Sequence, residues 1–151
     1  MTADSPSGHR AIENLIARYA ELVDAGDFAG LDALLAGATF VGSAATVSGR
    51  GEIEKMLRDT VIVYADGTPR TRHVTTNLAI EVDEETGTAT ARSYFTVLQA
   101  LPDLPLQPIV AGRYRDRFER CDGQWRFLER CVLPDLVGDV SRHLRQAAAQ
   151  A

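Results

Sequence analysis

The 151-residue sequence is poor in the features that mark specialised chemistry or location. It has two cysteines, one tryptophan, three histidines and only 7% aromatic residues. No apolar run approaches the roughly 18 residues that span a bilayer, and the opening MTADSPSGHR lacks the charged start and apolar stretch of a signal peptide. These absences predict a cytoplasmic protein. Cys121 and Cys131 show no CxxC spacing. A turn at Asp122 and Gly123 pairs Cys121 with Gln124 and leaves Cys131 several rungs away, too far for a disulfide. Two separate thiols fit a reducing compartment and no metal or redox motif. GxxxxGK(S/T), GxSxG, HExxH and a GxGxxG following a strand are all missing, so nucleotide, acyl-serine and zinc-peptidase chemistry lack their signatures. An excess of positive charge is missing too. With a net charge of -5 and a pI near 5.2, nothing draws the chain to phosphate backbones or anionic lipid, so neither nucleic acid nor membrane is the expected partner.

What is present is an ordinary globular composition, 45% hydrophobic and 25% charged. Residues 1–151 read as one domain, with no repeat and no linker. Ile12, Leu15, Ile16, Tyr19, Leu22 and Val23 recur at helical spacing from about Ser7 to Ala25, and Gly26 ends the run. DFAGLDALLA restarts a helix with Asp27 as N-cap. ATFVGSAATVSG reads as strand and turn, GEIEKMLRDTVIVY as a third helix, and ADGTPR as a loop. Four strands follow, at Thr71–Asp83, Thr88–Ala100, Ile109–Arg120 and Gln124–Val132. EETG, the proline-rich LPDLPLQP and CDG separate them as turns or loops, LPDLPLQP being a candidate mobile rim. DLVGDVSRHLRQAAAQA reads as a helix that frays at its alanine-rich end. Helices first and strands afterwards predict an α+β fold with helices on one face of a curved sheet.

The chemistry this pattern allows is acid–base work by scattered side chains. Asp24 falls in the last turn of the first helix, where the negative end of the macrodipole disfavours a carboxylate by a few tenths of a kcal/mol; it serves either a site or a polar helix-ending loop. His73, in TRHVTTNLAIEV, shares a strand face with Thr71, Thr75 and Asn77 by the period of two. It is either a structural imidazole or a base, and its ordinary pKa near 6.5 against about 3.9 for aspartate makes it the proton acceptor if the two meet. Strict alternation puts Arg130 on the face opposite Trp125 and Phe127, in an outer ladder with Arg113, Arg115 and Arg117, unless a bulge intervenes. Interleaved Asp116, Glu119 and Glu129 make that ladder a solvated face or oligomer contact rather than a nucleic-acid surface. Asp135, Asp139 and His143 follow at i, i+4 steps of the tail, a spacing better explained by a solvated helix face than by a metal site.

AIENLIARYAELVDAGDFAGLDALL, TRHVTTNLAIEV and GRYRDRFERCDGQWRFLER, in this order and spacing, closely resemble the SnoaL-like branch of the nuclear transport factor 2-like superfamily, over about Ala11 to Leu133. The resemblance implies a conical, cystatin-like α+β barrel: N-terminal helices on a strongly curved, mainly antiparallel mixed sheet that encloses one deep, mostly apolar cavity. Scytalone dehydratase and hexachlorocyclohexane dehydrochlorinase are similar in using an Asp and His pair, whose positions fall on Asp24 and His73. The dehydrochlorinase's arginine after its hairpin tryptophan falls on Arg130. Its lysine before the aspartate falls on Tyr19, a departure that weakens halide elimination while leaving a hydroxyl able to donate to a substrate oxygen. The second cavity histidine of scytalone dehydratase has no counterpart between His73 and His143. Phe40, Tyr94 and Val110 are candidate cavity-wall, substrate-binding residues.

The resulting expectation is a cofactor-independent, metal-free lyase or isomerase of dehydratase, isomerase or polyketide cyclase type, acting on a hydrophobic, oxygen-bearing small molecule. His73 would be the base, Asp24 its orienting partner, and Tyr19 and Arg130 the stabilisers of developing charge. The alternative from a different class is a non-catalytic small-molecule-binding protein or structural subunit of the same fold, such as the β subunits of ring-hydroxylating dioxygenases. A homodimer is expected, because open sheets of this family commonly pair through an exposed face.

Overall fold

The computed structural model describes residues 7–145. Helix α1 (Gly8–Asp24) begins where the Ser7 hydroxyl accepts from the amide of Arg10, satisfying one of the amides a helix start leaves bare. Its apolar stripe, Ile12, Ile16, Tyr19, Leu22 and Val23, is buried. The helix stops at Gly26, whose φ is +72° and whose missing side chain makes room for a neighbouring carbonyl: a Cβ there would lie 2.1 Å from the oxygen of Gly67. Asp27 then caps α2 (Phe28–Leu34) by accepting from the amide of Gly30. Strands β1 (Thr39–Val41) and β2 (Thr46–Ser48) form a short hairpin. Helix α3 (Glu52–Thr60) follows, and ends where β-branched Val61 turns extended.

The rest of the fold is a meander of long strands: β3 (Thr71–Asp83), β4 (Thr88–Leu101), β5 (Leu104–Cys121) and β6 (Gln124–Val137). The six strands form one open sheet in the order β2-β1-β6-β5-β4-β3, antiparallel except for the β1–β6 pair. The helices and the buried side chains of the long strands make a continuous core. Every long pair carries a register shift, and such bulges bend a sheet. At Gly112 the missing side chain admits Phe95, whose ring atoms would lie 2.8 Å from a Cβ and which stacks on Tyr114 at 4.5 Å. The sheet curves but does not close.

Three expectations need correction. LPDLPLQP is no mobile rim: Pro102 and Asp103 form a tight turn and Leu104 onward belongs to β5. Pro105 and Pro108 are tolerated because they lie beyond Val110, the last rung on which β5 pairs with β6, where β5 has a strand on one side only. The tail is not a helix within the described residues. Asp135 belongs to β6, and residues 138–145 run as turns ending in a bridge between Leu144 and Val61. Pro134 and Gly138 break the helical spacing, while β6 gains rungs by staying on β5. The alanine-rich end lies outside the described residues. The i, i+4 geometry proposed for Asp135, Asp139 and His143 is therefore absent, and among the described residues no group of His, Cys, Asp or Glu could hold a metal ion. Asn77 also leaves the face of His73. It sits at φ 56° in the bulge between Thr76 and Ala79, so Thr71, His73 and Thr75 alone share the inner face at that end of β3.

The cysteines are free, and Cys121 pairs across its turn with Gln124. On the outer sheet face Arg113 binds Asp135 and Arg117 binds Glu129 at 2.8 and 3.3 Å. Among the described residues no helix is long and apolar enough to cross a membrane.

Candidate acid–base site

Asp24, the last residue of α1, meets the inner face of β3. One carboxylate oxygen lies 2.6 Å from Nδ1 of His73 and accepts from the Thr71 hydroxyl at 2.9 Å; the other accepts from the His73 amide at 2.7 Å. These donors offset the cost of a carboxylate at a helix C-terminus. An ionised carboxylate only accepts, so the proton between the two side chains belongs to Nδ1, and the neutral ring is left with a bare Nε2. The side chains are 13% and 9% exposed, dry enough to hold their geometry yet open to a recess. That recess is a groove of about 570 Å³ between α1 and β3, walled by Ile16, Ala17, Ala20 and Thr75 beside the pair, with Glu13, Glu21 and Arg72 among its charged lining. At the pair, the recess takes the form of this open groove rather than an enclosed apolar chamber.

The cone interior is filled instead. Arg130 is fully buried, and its guanidinium carbon lies 4.0 and 3.5 Å from the ring centroids of Tyr19 and Tyr114, which meet edge to face at 73°. It turns inward because Leu128 is an extra residue in β6: Arg117 pairs with Glu129 while Phe118 pairs with Phe127, so Phe127 and Arg130 both face the core. The bulge on which an inward Arg130 depended is therefore present, and Arg130 leaves the outer ladder. Arg130 Nε stands 3.4 Å from Asp116, yet neither carboxylate oxygen and none of the guanidinium nitrogens has a hydrogen-bond partner. Proximity without alignment gives Coulomb attraction but no directed bond. Burial raises the Asp116 pKa to about 6 against the opposing pull of Arg130. Burial likewise raises the Tyr19 phenol, with Arg130 opposing and Asp116 and Asp24 adding to the rise; Tyr19 stays a protonated donor.

Tyr19 and Arg130 are thus core residues outside the groove lining, and the remaining candidates are not brought there either. Tyr94 is 53% exposed on the outer face, because β4 alternates and its inward residues there are Ser93 and Phe95; it is no cavity wall. Phe40 and Val110 are partly buried against the core and do not line the recess.

One residue near the pair was not singled out for the site. His143, from the C-terminal turns, lies with its ring centroid 6.3 Å from that of His73, at 65°. It is 7% exposed, and burial lowers its pKa to about 4, with the neighbouring His73 adding to the drop and Asp24 opposing it. The β-branched run Val61-Ile62-Val63, which needed a partner strand, was the one sequence signal for this tail path.

A curved sheet under N-terminal helices, with an Asp–His pair at its open end, defines a cystatin-like, nuclear transport factor 2-like domain. The model of the SnoaL-like domain matches residues 7–131, and the chain belongs to that family. Among solved structures it is similar to a variant of Rv3472 from Mycobacterium tuberculosis, a protein of unknown function, at 28% identity over 85% of this chain and 77% of the other, with a TM-score of 0.70. It is also similar to a candidate scytalone dehydratase from Novosphingobium aromaticivorans, at 25% identity over 87% and 86% of the two chains and a TM-score of 0.68. Aln2 from a Streptomyces species shares the fold at 23% identity over 89% and 95%, with a TM-score of 0.69. No protein of curated function matches significantly.

Proposed function

We propose that this protein is a cofactor-independent acid–base enzyme of dehydratase, isomerase or cyclase type, acting on a hydrophobic, oxygen-bearing small molecule. The observation that carries this reading is the 2.6 Å contact between Asp24 and Nδ1 of His73 beside a groove. Neutral His73 takes a proton from the substrate through Nε2, and the Asp24 carboxylate stabilises the imidazolium that forms. As the proton leaves, negative charge grows on a substrate oxygen. Tyr19 and Arg130 do not line the groove, so their part in balancing that charge is the field of the buried Arg130 cation beside the Tyr19 ring. The imidazolium then returns its proton to a leaving hydroxyl, or to another carbon of the substrate, and the product is a dehydrated, isomerised or cyclised molecule. The likeness to a candidate scytalone dehydratase favours dehydration within this class.

A ligand screen by thermal shift on the parent protein, Asp24→Asn and His73→Ala identifies substrates for turnover assays. His73→Ala is expected to lower kcat by about 100- to 10,000-fold; unchanged turnover would overturn the reading. The packed interior around Arg130 favours a second reading, a non-catalytic binding protein or structural subunit, which predicts bound ligands and no turnover in any variant. We further propose a homodimer paired through the outer sheet face, where Val74, Tyr94 and Leu136 are exposed; sedimentation of the parent and of Leu136→Glu tests it.

A further inference from the structure

The C-terminal turns are pinned at many points. The Tyr64 hydroxyl and the Gln99 amide both donate to the carbonyl of Arg142. The Ile62 amide donates to the carbonyl of His143, the Arg145 amide to that of Thr60, and Arg142 pairs with Asp103 at 2.9 Å. Every one of these contacts uses backbone or a neighbouring side chain, and none uses the His143 ring. That ring is carried inward to within 6.3 Å of His73, and its Nδ1 is buried with no hydrogen-bond partner. An unpaired buried polar atom of this kind costs on the order of 1–3 kcal/mol.

A second unpaired atom lies against the same segment. Gln99, 1% exposed on the inner face of β4, donates through Nε2 to the carbonyls of Pro69 and Arg142. Those two carbonyls fix which end of the amide is nitrogen, so Oε1 is an acceptor, and it too is buried and unpartnered. Nothing in the Asp24–His73 pair needs either atom.

We infer that His143, beside the His73 ring although not itself in the groove wall, is a substrate-binding residue of this site, and that with Gln99 it receives a hydroxyl group of a neutral ligand that reaches past His73. The inference rests on the acid–base reading of the groove and narrows its substrate class. Gln99 Oε1 and the Asp24 carboxylate can only accept, and the neutral His143 ring offers one accepting nitrogen. An incoming carboxylate or phosphate therefore meets the Gln99 and Asp24 acceptors and a nearby negative charge, whereas a hydroxyl gives its single proton to Gln99 Oε1 and accepts at its oxygen from the Nδ1-protonated tautomer of His143. His143 stays uncharged beside His73, so the site carries one cationic imidazole at most while a proton is in transit. The tail thus supplies a second histidine to the site from outside the strands.

The test uses a matched series of probes on the full chain: 2-naphthol, naphthalene and 2-naphthoate, with binding followed by fluorescence and by the ring nitrogen resonances of the histidines. 2-Naphthol is expected to bind roughly tenfold more tightly than naphthalene, to shift the Nδ1 resonance of His143, and to outbind 2-naphthoate. His143→Phe is expected to hold naphthalene unchanged and to bind 2-naphthol no better than naphthalene. His143→Asn, which returns a polar atom near the Nδ1 position, is expected to restore the preference and guards against a folding defect in the first variant. A tenfold preference that survives in His143→Phe, or an Nδ1 resonance unmoved by 2-naphthol and so satisfied by buried water, would overturn the inference. Asp24→Asn keeps the 2-naphthol preference if the inference holds, whatever becomes of turnover. Loss of proton transfer and loss of hydroxyl recognition are therefore read separately.

Discussion

Two polar pairs lie on the inner side of this sheet, and they are built in opposite ways. The Asp24 carboxylate accepts from Thr71, from the His73 amide and from the His73 ring, and it borders a groove. Asp116 and Arg130 are fully enclosed, 3.4 Å apart, with no hydrogen bond on either partner. The first pair is held by directed bonds that fix a tautomer, which proton transfer requires. The second is held by Coulomb attraction and by the tyrosine rings close to the guanidinium, an arrangement that recovers only part of the desolvation cost of two buried charges. Exposure to a recess together with directed hydrogen bonds marks the pair proposed to be reactive; burial without them marks a structural charge beside Tyr19.

The sharpest way to break this contrast is to remove one charge of the enclosed pair. Arg130→Met leaves an unpaired buried carboxylate, and urea unfolding should report a loss of about 3–5 kcal/mol. Adding Asp116→Leu should recover most of it, because a well-packed apolar pair has no desolvation cost to offset. If the single change were tolerated as well as the double, the Coulomb account of this pair would fail.

Next in size is a pH effect at the edge of the reactive pair. The folded pKa of His143 is lowered to about 4 from 6.5, so between those values the unfolded chain binds a proton that the folded chain refuses. Its contribution to stability is complete above pH 6.5 and is lost as pH falls through 4. Asp116 acts in the opposite sense: its folded pKa is raised to about 6 from 3.8, which favours the folded state at low pH and fades as pH rises through 6. Comparing His143→Phe with the parent cancels the Asp116 contribution. The parent is expected to lose roughly 3 kcal/mol relative to the variant between pH 7 and pH 4; parallel stability curves would contradict this.

The smallest effect sharpens the other side of the comparison. Thr71→Val removes one of the donors to Asp24 while keeping the shape of the side chain, and it should cost about 0.5–1.5 kcal/mol in urea unfolding. A larger loss would mean that the Asp24 site depends on Thr71 as much as on the histidine.

These contrasts also show where residue order was informative. Ser7 and Asp27 read directly as caps, and the β-branched run 71–83 gave a strand with the bounds observed, because both signals are local. The Asp24–His73 contact spans 49 positions; periodicity alone left each residue open, and family resemblance suggested the pairing. The inward turn of Arg130 depends on one extra residue at Leu128, and nothing in QWRFLERC marks which residue a bulge will take. His143 was read onto a solvent-facing helix because SRHLRQAAAQ has helical composition, whereas the path observed follows from continued β6 pairing and from the bridge of Leu144 to Val61. Local chemistry was legible, and register shifts and strand extension, which long-range pairing decides, were not.

The central claim is that Asp24 fixes His73 with Nδ1 protonated and Nε2 free to take a proton. Long-range proton–nitrogen correlation spectra of the histidine rings read this state directly. The account predicts that the neutral His73 ring carries its proton on Nδ1 in the parent and moves toward the Nε2-protonated form in Asp24→Ala. A parent ring already protonated on Nε2, or one indifferent to the loss of Asp24, would contradict it.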